Sequence, residues 1–175
     1  MKLLVIRHAV AMDQGEFART GQSDDLRPLT AEGAREMEKV AGGLRAEIKA
    51  LHVVATSALV RARQTADIVA AAFGTGAAEI TDSLVPGASM EAFEEWCASL
   101  GDDKKNIAVV GHEPHLSHLV TWLMTGRNES RIRLRKAGAC LLEFESGVRR
   151  GSGTLNWLLT PRQLSTDRGL PRSDC

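Results

Sequence analysis

The sequence predicts an α/β fold: a mostly parallel central sheet with helices on both faces, and a terminal β-hairpin. Three observations predict it. Short apolar runs rich in branched side chains, without polar alternation, suit strands buried on both faces. Segments with apolar residues at spacings of three and four alternate with those runs. The last two apolar runs are joined through a Gly- and Arg-rich turn. Alternating strand and helix patterns imply parallel pairing through right-handed crossovers.

Lys2 to Ile6 is the first buried strand, ending at Arg7-His8. Ala9 to Pro28 is polar and without a sustained period, and a connection that long inside a compact domain is more often functional than idle. Thr30 is expected to cap a helix running to about Ala50, with Met37, Val40, Ala41, Leu44 and Ile48 as its inner stripe. His52 to Thr56 is the second strand. Ser57 is expected first as the cap of the next helix and second as a phosphate donor; Val60, Ala66, Ile68, Val69 and Phe73 face inward and Gly74 ends that helix. There follow a short strand around Ala78 to Thr81, a turn at Pro86-Gly87 and a helix from Met90 to Leu100. Ile107 to Val110, the most apolar strand, stops at Gly111-His112. Pro114 suits the first turn of a helix through Leu116, Leu119, Val120 and Leu123 to Gly126. Ala139 to Phe144 and Thr154 to Leu159 form the hairpin, and Pro161 to Cys175 is a polar tail. Residues 1–160 are thus expected to be one domain, a size that supports a core of its own.

Lysines and arginines number 22 and aspartates and glutamates 22, so no whole-molecule field favours nucleic acid or an anionic membrane. Any attraction for anions must be local. Cys97, Cys140 and Cys175 form neither a disulfide framework nor a CxxC pair, which predicts a reducing, cytoplasmic setting. The first apolar run is broken at Arg7, too early for a signal-peptide core. His112, His115 and His118 spread round a helix, and HEPHL lacks the second histidine of an HExxH site, so no metal is expected; no organic cofactor is expected either. His52 is expected at the surface, and Trp96, Trp122 and Trp157 in the core.

In parallel sheets ligands bind beyond the carboxyl ends of the strands. Three of the expected strands deliver Arg7-His8, then Ser57 with Arg61, then His112 to that edge. Arg61 and Arg63 sit where the helix dipole disfavours cations, a conflict that a bound anion resolves; Arg63 is expected to be solvated or paired with Asp67. Guanidinium groups offer paired hydrogen bonds to a phosphoryl group. A histidine there can attack phosphorus through a neutral ring nitrogen. His8 is therefore the expected nucleophile, with Arg7, Arg61 and His112 facing the equatorial oxygens.

The strings LLVIRHA, SALVRARQT and VVGHEPHLS, in that order and each following a strand, resemble the three signature segments of the histidine phosphatase (phosphoglycerate-mutase-like) superfamily. The short chain, the RPLT-x-x-G segment at Arg27 to Gly33 and the hairpin look most like its SixA-type phosphohistidine phosphatases. The resemblance implies that His8 becomes phosphorylated, that Arg7, Arg61 and His112 form the phosphate pocket and that water releases phosphate. It adds Arg27 as a further anion ligand. Ser57, Glu113 and the Ala9 amide complete the expected phosphate contacts. Two departures stand out: Ala9 where the family usually has Gly, which matters if the backbone there needs a positive φ, and Ala58 where Pro is common.

A general acid is harder to assign. Glu91, Glu113, Asp13, Asp24 and Asp25 all fit on position alone, and Asp24-Asp25 is otherwise a solvated loop bordering Arg27. A phosphoramidate leaving group needs less help than an alkoxide. The expected substrate is accordingly a phosphohistidine-bearing protein, a histidine phosphotransfer domain being one of several. The alternatives are a phosphatase of small phosphorylated metabolites and, in another class, an inactive phosphate- or phosphohistidine-binding module.

Overall fold

Leu3 to Ile6 are fully buried because their strand, β1 (Lys2–Arg7), lies inside a six-stranded sheet. The computed structural model describes residues 1–101 and 105–165. The remaining strands are β2 (Val53–Thr56), β3 (Glu79–Ile80), β4 (Asn106–Gly111), β5 (Ala139–Glu143) and β6 (Thr154–Leu159), in the order β3-β2-β4-β1-β5-β6. The first four strands of that order pair parallel, whereas β5 is antiparallel to β1 and β6 to β5, which gives the expected mixed sheet and hairpin.

Alternation along β1 divides the core in two. Leu4 and Ile6 face α2 (Ala31–Glu47) and α3 (Val60–Phe73), while Leu3 and Val5 face α4 (Met90–Ser99) and α5 (His115–Thr125). Burial on both faces is why the strands appear as unbroken apolar runs. Thr30 caps α2 by accepting from the Gly33 amide at 2.9 Å. Trp122 is buried and Trp96 and Trp157 pack half-buried against the core, while His52 is exposed. Cys97 and Cys140 are buried, and desolvation pushes both thiols up to about 12; Cys175 lies outside the described residues.

Four expectations need correction. Ser57 does not cap α3: Leu59 holds the cap position without a side-chain bond. The deepest residues of α3 are Arg61, Ala62, Thr65, Ala66, Val69 and Ala70, with Val60, Ile68 and Phe73 only partly buried, because small side chains let the helix lie close to α2 and the sheet. The long connection after β1 contains a helix, α1 (Gln14–Ala18), capped by Asp13, and a 3-10 turn at Asp24–Leu26, both too short to leave a period in the sequence. The tail begins as a further helix, α6 (Pro161–Leu164), started by a Thr160–Gln163 capping box. Its Leu164 is buried in the α2 side of the core.

Parallel register positions the site. Arg7 pairs with Gly111 and Thr56 with Val110, so His8, His112 and Ser57, each just beyond its strand, emerge side by side.

Gly43 permits the α2–α6 contact, since a Cβ there would run into the Leu164 carbonyl, whereas a Cβ at neighbouring Gly42 meets nothing. Gly43→Ala is expected to destabilise the protein by about 1–3 kcal/mol and Gly42→Ala to stabilise it by about 0.5–1 kcal/mol. Urea unfolding of the two variants checks both signs.

Candidate active site

The His8 amide donates to the Gly111 carbonyl at 3.0 Å, fixing the residue at the junction of β1 and β4. The residue is 7% exposed, and its ring Nδ1 lies 2.7 Å from the Ala9 carbonyl. A carbonyl only accepts, so Nδ1 carries the hydrogen and Nε2 keeps its lone pair. Burial lowers the His8 pKa to about 4 against the effect of that bond, and the charges of Arg61, Arg7 and Lys136 push the same way as burial.

Ala9 has no positive φ; among the described residues only Ala137 does so without being glycine. The Ala-for-Gly departure therefore costs no backbone strain. The Ala9 amide, expected as a phosphate donor, is engaged elsewhere: it donates to Thr65 Oγ1 at 3.1 Å, and the Thr65 hydroxyl donates to the Arg61 carbonyl at 2.7 Å. Thr65 thereby ties the end of β1 to the first turn of α3.

Ser57 Oγ lies 2.7 Å from His112 Nε2, and both residues are buried. The arrangement that leaves no buried hydroxyl hydrogen unpaired has Ser57 donating, so His112 Nδ1 is the ring N–H. Burial, then the His8 and Arg61 charges, lower the His112 pKa to about 3. The His8 and His112 ring centroids are 5.1 Å apart.

Arg61, 6% exposed, donates through Nη1 to the Asp24 carbonyl at 2.9 Å and pairs with Asp24 Oδ2 at 3.2 Å. Arg27 holds the other Asp24 oxygen at 2.7 Å through Nε and gives Nη1 to the Met12 carbonyl. The Arg27 bond, with Arg61, keeps the Asp24 carboxyl below its usual range, so Asp24 is an anion shared by two guanidiniums. Arg27 thus meets Asp24, and through Asp24 borders Arg61. Arg63 is exposed, and no ion pair joins it to Asp67 among the described residues. Arg7 donates to the Leu134 carbonyl at 2.9 Å, and burial lowers its pKa while Glu113 opposes that shift.

Among the described residues, the buried side-chain nitrogens and oxygens without a hydrogen-bond partner are Arg7 Nε, Arg61 Nε, His112 Nδ1, Glu113 Oε1 and His115 Nε2. All five lie at the carboxyl end of β1 or in the segments that follow β2 and β4. An unpaired buried donor costs about 1–3 kcal/mol, and three N–H donors left unpaired around His8 suit a tetrahedral oxyanion. Of the five positional acids, Asp13 caps α1, Asp25 and Glu91 are exposed, and Asp24 is ion-paired. Glu113 alone brings a buried, unpartnered oxygen to this edge.

His115 is buried and hydrogen-bonded to the Ser83 backbone, its pKa lowered by burial, while His118 is exposed. Thr65, Lys136, His115 and the Leu134 carbonyl were not singled out by sequence as site residues. The available signal for Thr65 was a hydroxyl four residues after Arg61, on the inner face of its helix.

A family model described as the histidine phosphatase superfamily (branch 1) matches residues 3–85. An uncharacterized protein of Picosynechococcus sp. is 33% identical over 152 residues, 86% of this chain and 88% of that one. Phosphohistidine phosphatase SixA of Escherichia coli is 26% identical over 172 residues, covering 97% of this chain and 100% of its own. The solved structure of the protein histidine phosphatase SixA complexed with tungstate superposes with a TM-score of 0.79 at 25% identity, covering 94% of this chain and 99% of that one. No helix among the described residues is long and apolar enough to cross a membrane.

Because His8 and His112 have folded pKa values below the ordinary 6.5, the unfolded chain binds protons that the folded chain refuses. Their contribution to stability is flat above pH 6.5 and falls as pH drops toward 4 and then 3. Urea midpoints measured across that range are expected to decline, and His8→Asn to make the decline shallower. Thr65→Val, which strands the Ala9 amide, is expected to cost about 1–3 kcal/mol at pH 7 in the same assay.

Proposed function

Because the chain belongs to the histidine phosphatase superfamily, we propose that this phosphatase removes phosphate from phosphohistidine on protein, through a covalent intermediate on His8. The observation that carries the reading is the state of His8: Nδ1 is committed to the Ala9 carbonyl and the pKa is about 4, so Nε2 is a free lone pair at neutral pH. The substrate ring takes a proton from solvent at its other nitrogen; His8 Nε2 then forms a bond to phosphorus as the bond from phosphorus to that ring breaks, and the ring leaves as neutral imidazole. Water then attacks phosphorus, the bond to His8 breaks, and orthophosphate leaves with neutral His8 restored. Arg7, Arg61 and the His112 N–H stabilise the charge on the equatorial oxygens in both steps, a contribution that needs only fixed hydrogen-bond donors and positive groups aimed at those oxygens.

The leaving group favours phosphohistidine. Asp24 is held as an anion by Arg27 and Arg61 and has no proton to give. An imidazole leaves without a strong acid beside it; an alkoxide does not. The similarity to SixA across nearly the whole chain supports the same substrate class. A second reading, hydrolysis of small phosphate esters with Glu113 as the acid, draws on the buried, unpartnered Glu113 Oε1.

Incubation with a labelled phosphodonor is expected to leave a label on His8 that survives alkaline but not acid quench, and that His8→Asn abolishes; absence of label from the wild type and from a His112→Ala trap alike would count against the mechanism. Arg61→Ala is expected to lower kcat on a phosphohistidine peptide by about 10²–10³-fold. Glu113→Gln separates the two readings: phosphohistidine turnover should stay within about threefold, whereas an enzyme that relies on this acid loses about 10²-fold or more on esters.

A further inference from the structure

The chain is electrically neutral as a whole, yet residues 127–136, RNESRIRLRK, carry Arg127, Arg131, Arg133, Arg135 and Lys136 against the single carboxylate Glu129. All five cations are exposed. Among the described residues none of them forms an ion pair, since both pairs found there involve Asp24. Arg131, Arg133 and Arg135 alternate with Ile132 and Leu134, which turn into the core, Leu134 with no exposure at all. The result is a ridge with three guanidiniums facing outward.

The ridge is fastened to the catalytic edge at several points. Its Leu134 carbonyl accepts from Arg7 Nη1, and the Ala137 amide immediately after it donates to both the Arg7 and His8 carbonyls, at 3.1 and 3.2 Å. At its other end Ser130 Oγ accepts from Thr121 Oγ1 and from the Ile132 amide. Lys136 is near enough for its charge to act on the His8 imidazole. Holding five like charges together without counter-ions is unfavourable in the free protein, and an acidic partner relieves it.

We propose that this ridge is a docking surface for the acidic face of the phosphorylated protein substrate, with carboxylates flanking the phosphohistidine engaging Arg131, Arg133 and Arg135. The inference rests on the phosphohistidine reading above and adds the character of the surface around the modified residue. A docking surface of this kind acts chiefly on encounter and KM, and its strength falls with salt. It leaves the chemical step on a small substrate alone.

The test uses two phosphohistidine peptides of equal length, one with aspartates and glutamates at the flanking positions and one with serines and glutamines there, together with free phosphohistidine. The wild type is expected to prefer the acidic peptide by about tenfold or more in kcat/KM at low salt, mostly through KM, with the preference shrinking as sodium chloride rises. The triple reversal R131E/R133E/R135E is expected to bring the ratio to one or below while free phosphohistidine is turned over at the wild-type rate. Equal kcat/KM for the two peptides in the wild type, or a preference that salt leaves unchanged, overturns the docking surface whether or not the reversed variant folds. A preference kept by the reversed variant overturns it as well. Single-stranded DNA that inhibits more strongly than the acidic peptide assigns the ridge to another partner class and also overturns the proposal. If the wild type cleaves phosphate esters but no phosphohistidine substrate, the functional reading fails and the docking surface with it; if it cleaves both peptides alike, the docking surface alone fails.

Discussion

The hydrogen bond from the His8 amide to the Gly111 carbonyl continues the β1–β4 ladder past the last strand residue, and the candidate active site depends on that ladder. Parallel pairing with β2 on the far side of β4 brings three strand ends level, so residues distant in sequence become neighbours with no loop reaching across. Register is enforced by the core: Leu3 to Ile6 are buried on both faces, and a slip by one residue would exchange the two sets of side chains. Gly111 contributes by its lack of a Cβ, which would press on Leu116 of α5. That close approach starts α5 just beyond β4, with His112 in the short link between them.

The electrostatics follow from placing cationic groups where water is scarce. Two arginines are largely withdrawn from solvent, and a further positive charge on either histidine would raise the repulsion between them. Burial answers this by holding His8 and His112 neutral. Asp24 answers it from the other side, as an internal anion leaning on Arg61 and Arg27 from a loop that is half open to solvent. The N–H groups that remain, on Arg7, Arg61 and His112, are donors without acceptors. The same arrangement that keeps His8 neutral also leaves its surroundings in need of an anion.

Much of this was legible in the sequence, and the reasons are specific. Strands buried on both faces leave uninterrupted apolar runs, so Lys2 to Ile6 and Ile107 to Val110 were visible, and a chemistry-bearing residue directly after such a run has only one place to be. Thr30 as a cap was visible because its bond is local. What escaped depends on contacts between residues far apart in the chain. Ser57 has the side chain of a helix cap but lies two residues before the cap position of α3, and its hydroxyl serves His112, fifty-five residues away. Thr65 looks like an ordinary inner-face residue until the Ala9 amide arrives, and the Leu134 carbonyl carries no sequence signal at all. The α1 and α6 helices escaped because a single turn or so is shorter than the period by which helices are recognised.

The burial of Cys97 and Cys140 has a consequence in redox chemistry. With both thiols pushed up to about 12, essentially neither is a thiolate at neutral pH, and peroxide attacks thiolates far faster than thiols. A phosphatase that uses a cysteine nucleophile needs that thiolate and is silenced when it is oxidised. Here the attacking atom proposed is a ring nitrogen, and the two sulfurs sit protonated in the hydrophobic core. The edge where His8 and His112 meet thus holds neither of these sulfurs, and peroxide finds no thiolate in Cys97 or Cys140 to attack.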